Sequence, residues 1–258
     1  MMEEQFIPGV HNYCDRWCER CPFTARCRVF ANEREFSEET TDPADPAFWQ
    51  NIKKNFEGVL EMLDKMMADM GIDPDEITDQ SDEKPDPTIQ ALERDMRDKS
   101  MQYANAVNDF FERNAGYFEV KSEQLEEQIE DGRPVDVERW QFFQDAVDVI
   151  RWYQYFISAK VHRAIGGMEH LEEFDDPLQS DSNGSAKIAN IAIERSLGAW
   201  EVIGRQLIEK KEEIWVLQQQ LQHLRAELDR IFPKLKNFHR PGFDDEPDNT
   251  MRLEFNPN

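Results

Sequence analysis

The stretch WQFFQDAVDVIRWYQYFISAKVHRA, from Trp140 to Ala164, decides the fold. Trp140, Phe143, Val147, Ile150, Ile157, Val161 and Ala164 recur at three- and four-residue spacing, the mark of one face of an α-helix. Phe142, Ala146, Val149, Tyr153 and Phe156 form a second stripe beside the first. An apolar face this wide belongs to a helix covered on most sides, so this one should lie at the centre of a helical domain.

The flanking sequence extends the pattern. Upstream, Asp131-Gly132-Arg133-Pro134 separates two helices, glycine ending one and proline opening the next. The earlier helix starts near Thr88 and turns Ile89, Leu92, Met96, Tyr103, Val107, Phe110, Tyr117, Leu125 and Ile129 to one side, with a kink expected at Asn114-Ala115-Gly116. Residues 71–87 are acidic, carry prolines and read as an exposed linker. Before them, Asp45 is an N-cap and Pro46 a first helical residue. The helix they open ends at Gly71, and its apolar stripe (Phe48, Ile52, Phe56, Val59, Leu60, Leu63 and Met67) reads as core. Downstream, residues 173–185 form a loop. A last long helix then runs from near Ser185 through Leu197, Trp200, Leu207, Ile214, Leu217, Leu221, Leu224 and Leu228 to Ile231, where Pro233 limits it. Its final part, from Ile214, keeps a heptad-like seam. Residues 233–258 read as a loosely held tail. With no alternating strand signal, the fold class is all-α: an antiparallel bundle of long helices over residues 43–232, with a small cysteine-ligated metal lobe over residues 1–40.

Composition narrows the function. The formal net charge is −24, which disfavours phosphate backbones and anionic membrane surfaces as partners and favours neutral or basic proteins. Residues 1–10 (MMEEQFIPGV) lack a basic and apolar leader, and no run of about 20 apolar residues spans a bilayer; both point to a cytoplasmic chain. In a reducing cytosol, clustered cysteines read first as metal ligands or redox groups.

All four cysteines, Cys14, Cys18, Cys21 and Cys27, fall in one short segment with spacing C-x3-C-x2-C-x5-C. Four thiolates complete the ligand set of a tetrahedral zinc or of an iron–sulfur cluster. Structural zinc sites usually draw on two C-x2-C hairpins set apart by a longer loop, and no such separation exists here. A cubane's corners lie several ångströms apart and can be reached by one winding loop. That loop cannot be a regular helix, in which Cys14 and Cys21 would sit about 10 Å apart along the axis. The first reading is therefore a [4Fe–4S] cluster, the second Zn2+, the third disulfides or unligated thiols. Arg16, Arg20, Arg26 and Arg28 make the segment net positive within an acidic chain. They could offset thiolate charge or pair with the acidic helices. Tyr13, Trp17 and Phe23 could shield a cluster or anchor the segment, and His11 is surplus to four cysteines.

Cys18-Glu19-Arg20-Cys21-Pro22-Phe23-Thr24-Ala25-Arg26-Cys27 resembles the cluster loop of the endonuclease III and adenine-mismatch glycosylase family, which also ends in C-x2-C-x5-C, often with proline after the middle cysteine. In that family the loop holds a [4Fe–4S] cluster. The resemblance is confined to the cysteine segment. It departs at the first gap, three residues here against six, and in its N-terminal position. No helix–hairpin–helix segment accompanies it. It implies a cluster type and not a glycosylase activity. Cys14-x3-Cys18-x2-Cys21 also matches the spacing of radical S-adenosylmethionine enzymes. Those need an open iron and a β/α barrel, whereas this chain adds Cys27 and shows no βα alternation.

Other chemistry is sparse. None of the five histidines follows a glutamate by three residues, which removes the Glu-x-x-His pairs of di-iron bundles. Asp181-Ser182-Asn183-Gly184-Ser185-Ala186-Lys187 reads as an N-cap rather than a phosphate loop. His162, Arg163, Glu194 and Arg195 could meet as a polar network inside the bundle. No catalytic constellation is visible. The sequence points to a non-catalytic iron–sulfur protein that transfers electrons to, or senses redox state for, a protein partner; a zinc-stapled interaction module is the alternative.

Overall fold

Aspartate caps open three of the long helices, two of them with proline at the first helical position. The computed structural model describes residues 6–37, 42–71, 86–132, 136–168 and 176–245, so most of the expected acidic linker at 71–87 lies outside the described residues. Every regular element among them is helical: α1 (Arg28–Ser37), α2 (Pro46–Met70), α3 (Pro87–Arg113), α4 (Ala115–Glu130), α5 (Val137–Gly166), α6 (Asp181–Gln206) and α7 (Lys211–Ile231), joined in places by short 3-10 turns. Asp45 accepts the Ala47 N–H at 2.9 Å, and Asp86 accepts that of Thr88 at 2.7 Å. Asp136 caps α5 through the Arg139 N–H at 3.0 Å. Each cap satisfies a donor that the first turn leaves without an intrahelical acceptor. Gly71 closes α2 at φ 68°, a left-handed conformation that favours glycine. The chain divides into two compact units, Met1–His11 with Arg16–Pro85, and Asn12–Asp15 with Asp86–Asn258.

In the second unit, α3, α5, α6 and α7 form an antiparallel bundle. At the α5–α6 seam, the start of α6 meets the end of α5: Ser182 donates to the Ala164 carbonyl, while Arg195, further along α6, meets Tyr153, further back along α5. α3 and α5 also run in opposite directions, with Glu93 3.0 Å from His162, Ser100 Oγ donating to Ser158 Oγ at 3.0 Å, and Arg151 over the Phe111 ring at 4.9 Å. Glu194–Arg225 at 2.8 Å joins α6 to α7, and Arg113–Glu213 at 3.2 Å joins α3 to α7. Small residues on α6 (Ser185, Ala186, Ala189 and Ala192, all buried) let α5 approach closely. As expected from the width of its apolar face, α5 is central, with Ile150, Tyr153, Ile157 and Val161 buried.

Across the core, the Trp200 indole N–H donates to the Tyr103 hydroxyl at 3.0 Å, both side chains being fully buried. Burial holds the Tyr103 hydroxyl well above its ordinary pKa, against its hydrogen bond to Trp200. Trp200 also stacks on Phe111 and meets Phe110 edge-on, with ring centroids 6.1 and 5.2 Å apart. The expected kink at Asn114 is a break between α3 and α4. The Asn114 amide donates to the Phe110 carbonyl at 2.7 Å, and beyond it Phe118 stacks on Phe143 at 5.8 Å.

The single last helix expected from Ser185 to Ile231 is instead two. Leu207 leaves helical geometry at φ −101°, ψ 64°, and a 3-10 turn at Ile208–Lys210 reverses the chain into α7. Leu207 is buried, so the reversal is fixed by packing rather than by proline. Gly204 faces the returning helix, where a Cβ would stand at an ordinary contact distance of 3.7 Å from Ile214 Cγ2. Residues 233–245 run back over α6, where Lys187 reaches the Phe238 carbonyl at 2.5 Å and Asp244 at 2.6 Å.

In the first unit, α2 begins and ends where the sequence places it, but its stripe is not core. Phe56, Val59, Leu60 and Leu63 are exposed, Phe56 by 67%. Helical periodicity reports that one face is apolar; it does not report that anything covers that face.

Candidate metal centre

No α-helix runs through the cysteine segment, as its spacing demands. Arg16, between Cys14 and Cys18, sits at φ 58°, a left-handed conformation that costs a non-glycine residue about 1 kcal/mol or more. In the first unit, two 3-10 turns follow, Cys18–Arg20 and Thr24–Arg26. The Cys21 N–H donates to the Cys18 carbonyl at 3.2 Å, and the Cys27 N–H to that of Thr24 at 3.3 Å. Each turn therefore closes on a cysteine. The Ile7 N–H donates to the Arg26 carbonyl at 3.0 Å, and Phe23 and Val10 are buried, giving the lobe a small apolar centre.

The Phe23 N–H donates to Cys21 Sγ at 3.4 Å. Pro22 fits this geometry, because its ring fixes φ at about −65° between the sulfur-bearing residue and the donor. A backbone donor to sulfur stabilises a thiolate and tunes the potential of an iron–sulfur centre. All four cysteines are half-buried thiols. The Arg20 guanidinium lies 4.1 Å from the centre of the Trp17 ring, and that of Arg28 lies 5.4 Å from the Phe6 ring. Aromatic faces thus hold two of the arginines expected to offset thiolate charge.

Cys14 belongs to the short stretch Asn12–Asp15 that is part of the second unit. Three contacts fix that stretch on α5 and α6. The Trp152 indole N–H donates to the Asp15 carbonyl at 3.0 Å, the Tyr153 hydroxyl donates to Asp15 Oδ2 at 2.6 Å, and Arg195 donates to the same oxygen at 2.5 Å. Arg195 also donates to the Tyr153 hydroxyl at 2.6 Å. Burial, and then the Asp15 charge, push the Tyr153 hydroxyl far above its ordinary pKa, against the pull of Arg195. Burial works to lower the Arg195 pKa, but its Tyr153 and Asp15 partners outweigh that and raise it. The tyrosine stays protonated and the guanidinium charged, so this is a clamp and not an acid–base pair. On the other side of Cys14, Tyr13 lies edge-on to Phe238 at 4.6 Å and donates to Asp181 at 3.3 Å. Gly184 makes room for it: a Cβ there would overlap the Tyr13 ring. Tyr13 is therefore an anchor on the bundle, one of the two roles its position allowed.

The polar residues suspected of meeting on the long helices do not form one network. His162 pairs with Glu93 at 3.0 Å, Arg163 with Asp181 at 2.7 Å, Glu194 with Arg225 at 2.8 Å, and Arg195 with Asp15. Asp15 is the residue the sequence reading missed. Only its place beside a cysteine could have drawn attention to it. An open cleft of about 380 Å3, lined by Asn108, Phe111, Glu112, Ala115, Arg151 and Gln154, brings together no nucleophile and base.

Among the described residues, no three or more His, Cys, Asp or Glu side chains stand together in an arrangement that could hold a metal ion, so Cys18, Cys21 and Cys27 of the first unit are not drawn together as a ligand set. Among them, too, no helix is long and apolar enough to cross a membrane. No family model matches the chain, and neither a curated protein nor a solved structure matches it significantly.

Proposed function

We propose that Cys14, Cys18, Cys21 and Cys27 bind one [4Fe–4S] cluster and that the protein works in the cytoplasm, passing electrons to a protein partner or sensing redox state for it. The observation that carries this reading is the donor set itself: the chain's four cysteines in one short segment, all thiols, none inside an α-helix. The backbone N–H of Phe23 on Cys21 Sγ supports it, because it gives a thiolate a backbone donor, and the turns that end on Cys21 and Cys27 keep the segment out of a regular helix. Metal sites are commonly completed by the metal, binding and local ordering being coupled, so ligation is expected to gather the sulfurs. Four thiolate ligands leave no coordination position for substrate, which favours electron transfer over substrate activation. The net charge of −24 supports a neutral or basic protein as partner rather than nucleic acid.

The test is anaerobic purification of the full chain, with iron, sulfide and zinc analysis and EPR of the reduced protein. The expected result is a brown protein with iron and sulfide in equal amounts and an EPR signal on reduction, each lost in the Cys18→Ser and Cys21→Ser variants. A colourless protein holding stoichiometric zinc and no sulfide would replace the cluster with a zinc staple.

A further inference from the structure

α2 carries a second feature, independent of the cysteines. Trp49, Phe56, Val59, Leu60, Leu63 and Met66 are all exposed on it. They follow a heptad: Trp49, Phe56 and Leu63 occupy a positions, and Ile52, Val59 and Met66 occupy d positions. A strict 3.5-residue repeat is the seam of a two-helix coiled coil. We propose that α2 pairs with α2 of a second copy of this chain, antiparallel, about a two-fold axis between Phe56 and Val59.

Area, charge and volume favour that occupant. A large side chain offers roughly 150–250 Å2, and these are about half exposed, so the seam presents on the order of 600 Å2 per copy. Two copies would bury about 1,200 Å2, the lower bound of a stable interface. Two chains of net charge −24 repel, so the seam must not add acid against acid. Glu57, Glu61 and Asp64 fall at the outer b and f positions, and between Trp49 and Met67 the flanking e and g positions are Lys53, Leu60, Met67, Asn55 and Met62, none of them acidic. Antiparallel pairing places Trp49 opposite Met66, Ile52 opposite Leu63 and Phe56 opposite Val59, so aromatic residues meet aliphatic ones. Parallel pairing would stack Trp49 on Trp49 and Phe56 on Phe56, overfilling two layers and underfilling Val59. An isologous contact of this kind closes at two copies.

The experiment is sedimentation of the full chain over a range of concentrations, with Val59→Glu and, as a control exposed on α7, Trp215→Glu. The expected result is a dimer for the wild type and Trp215→Glu, and a monomer with unchanged helical circular dichroism for Val59→Glu. In an isotopically mixed dimer, an amine cross-linker should join Lys53 or Lys54 of one copy to Lys65 of the other. A monomeric wild type, or a dimer unaffected by Val59→Glu, overturns the proposal. So does a monomeric wild type whose thermal midpoint falls in Val59→Glu, since α2 would then pack on its own chain. Inter-chain links only between like lysines overturn the antiparallel arrangement.

Discussion

Replacing Asp15 with alanine removes the acceptor shared by Tyr153 and Arg195. The Arg195 side chain is 27% exposed and that of Asp15 18%, so water partly solvates the charge left behind. A fully buried pair broken on one side loses about 3–5 kcal/mol. A hydrogen bond to a charged group contributes about 1.5–3 kcal/mol, and here two share one oxygen while Arg195 keeps its bond to the Tyr153 hydroxyl. The expected loss is therefore about 2–3 kcal/mol. For a domain of this size, that lowers the thermal midpoint by roughly 5–10 °C. Scanning calorimetry of Asp15→Ala, Arg195→Met and the double variant measures it. The double variant should be less destabilised than the two single losses predict together, because it leaves no unpaired charge. A midpoint within about 1 °C of wild type in Asp15→Ala, or strict additivity of the two losses, would refute the clamp.

Two other perturbations follow from local geometry. Gly184→Ala forces a methyl group into the Tyr13 ring and within 2.6 Å of Phe238 Cζ, whereas Gly204→Ala meets Ile214 at an ordinary 3.7 Å. Overpacking costs about 1–3 kcal/mol and alanine's helix preference returns up to about 1, so urea unfolding should show Gly184→Ala destabilised and Gly204→Ala neutral or stabilised. The reverse order would contradict both placements. Asp244 opposes its own burial through Lys187 and Arg240, and its carboxyl titrates below the ordinary 3.8. With the folded-state pKa depressed, its contribution is fully present above the unfolded value and is lost as pH falls from there through the folded one. The stability gap between wild type and Asp244→Asn should hold from neutral pH to about 5 and shrink below 4; a gap unchanged at pH 3 would remove Asp244 from the tail's anchorage.

Local rules made most helix ends legible. Asp45-Pro46 and Gly71 each act through a backbone group whose need is set by the residue itself, and Asp86-Pro87, assigned to the linker on composition, caps its helix by the same rule. The reversal at Leu207 was hidden because nothing local demands it. Leucine is a good helix former, and the apolar spacing from Leu197 to Ile231 passes through the break with its period intact. What ends α6 is the burial of Leu207 and the packing of α7 back onto α6 and α3, an effect of tertiary structure on a sequence whose local preference is to continue. The α2 stripe fails in the opposite way. Its period is that of a helix, and a period alone does not say whether a partner covers the face.

The candidate site divides along the same line. Cysteine spacing is a local signal, so the donor set could be read directly, as could the loss of helix between Cys14 and Cys21. The clamp could not, since Asp15, Tyr153 and Arg195 come from distant parts of the chain and no motif links them. Arg195 was suspected as part of a polar network with Glu194, two neighbours that project at about 100° to each other on a helix and so rarely share a partner. Glu194 turns to α7 and Arg195 to Asp15. The clamp gives the first cysteine a role apart from the other three. Cys14 stands between Tyr13, held by Phe238 and Asp181, and Asp15, held by Trp152, Tyr153 and Arg195, so its backbone is fixed on both sides. Cys18, Cys21 and Cys27 are set by short-range 3-10 turns, which open at little energetic cost. If the four cysteines ligate one centre, Cys14 enters the ligand set with its backbone already held. Asp15→Ala should then slow cluster assembly more than it weakens the assembled site, a difference that reconstitution rates set against cluster-loss rates would measure.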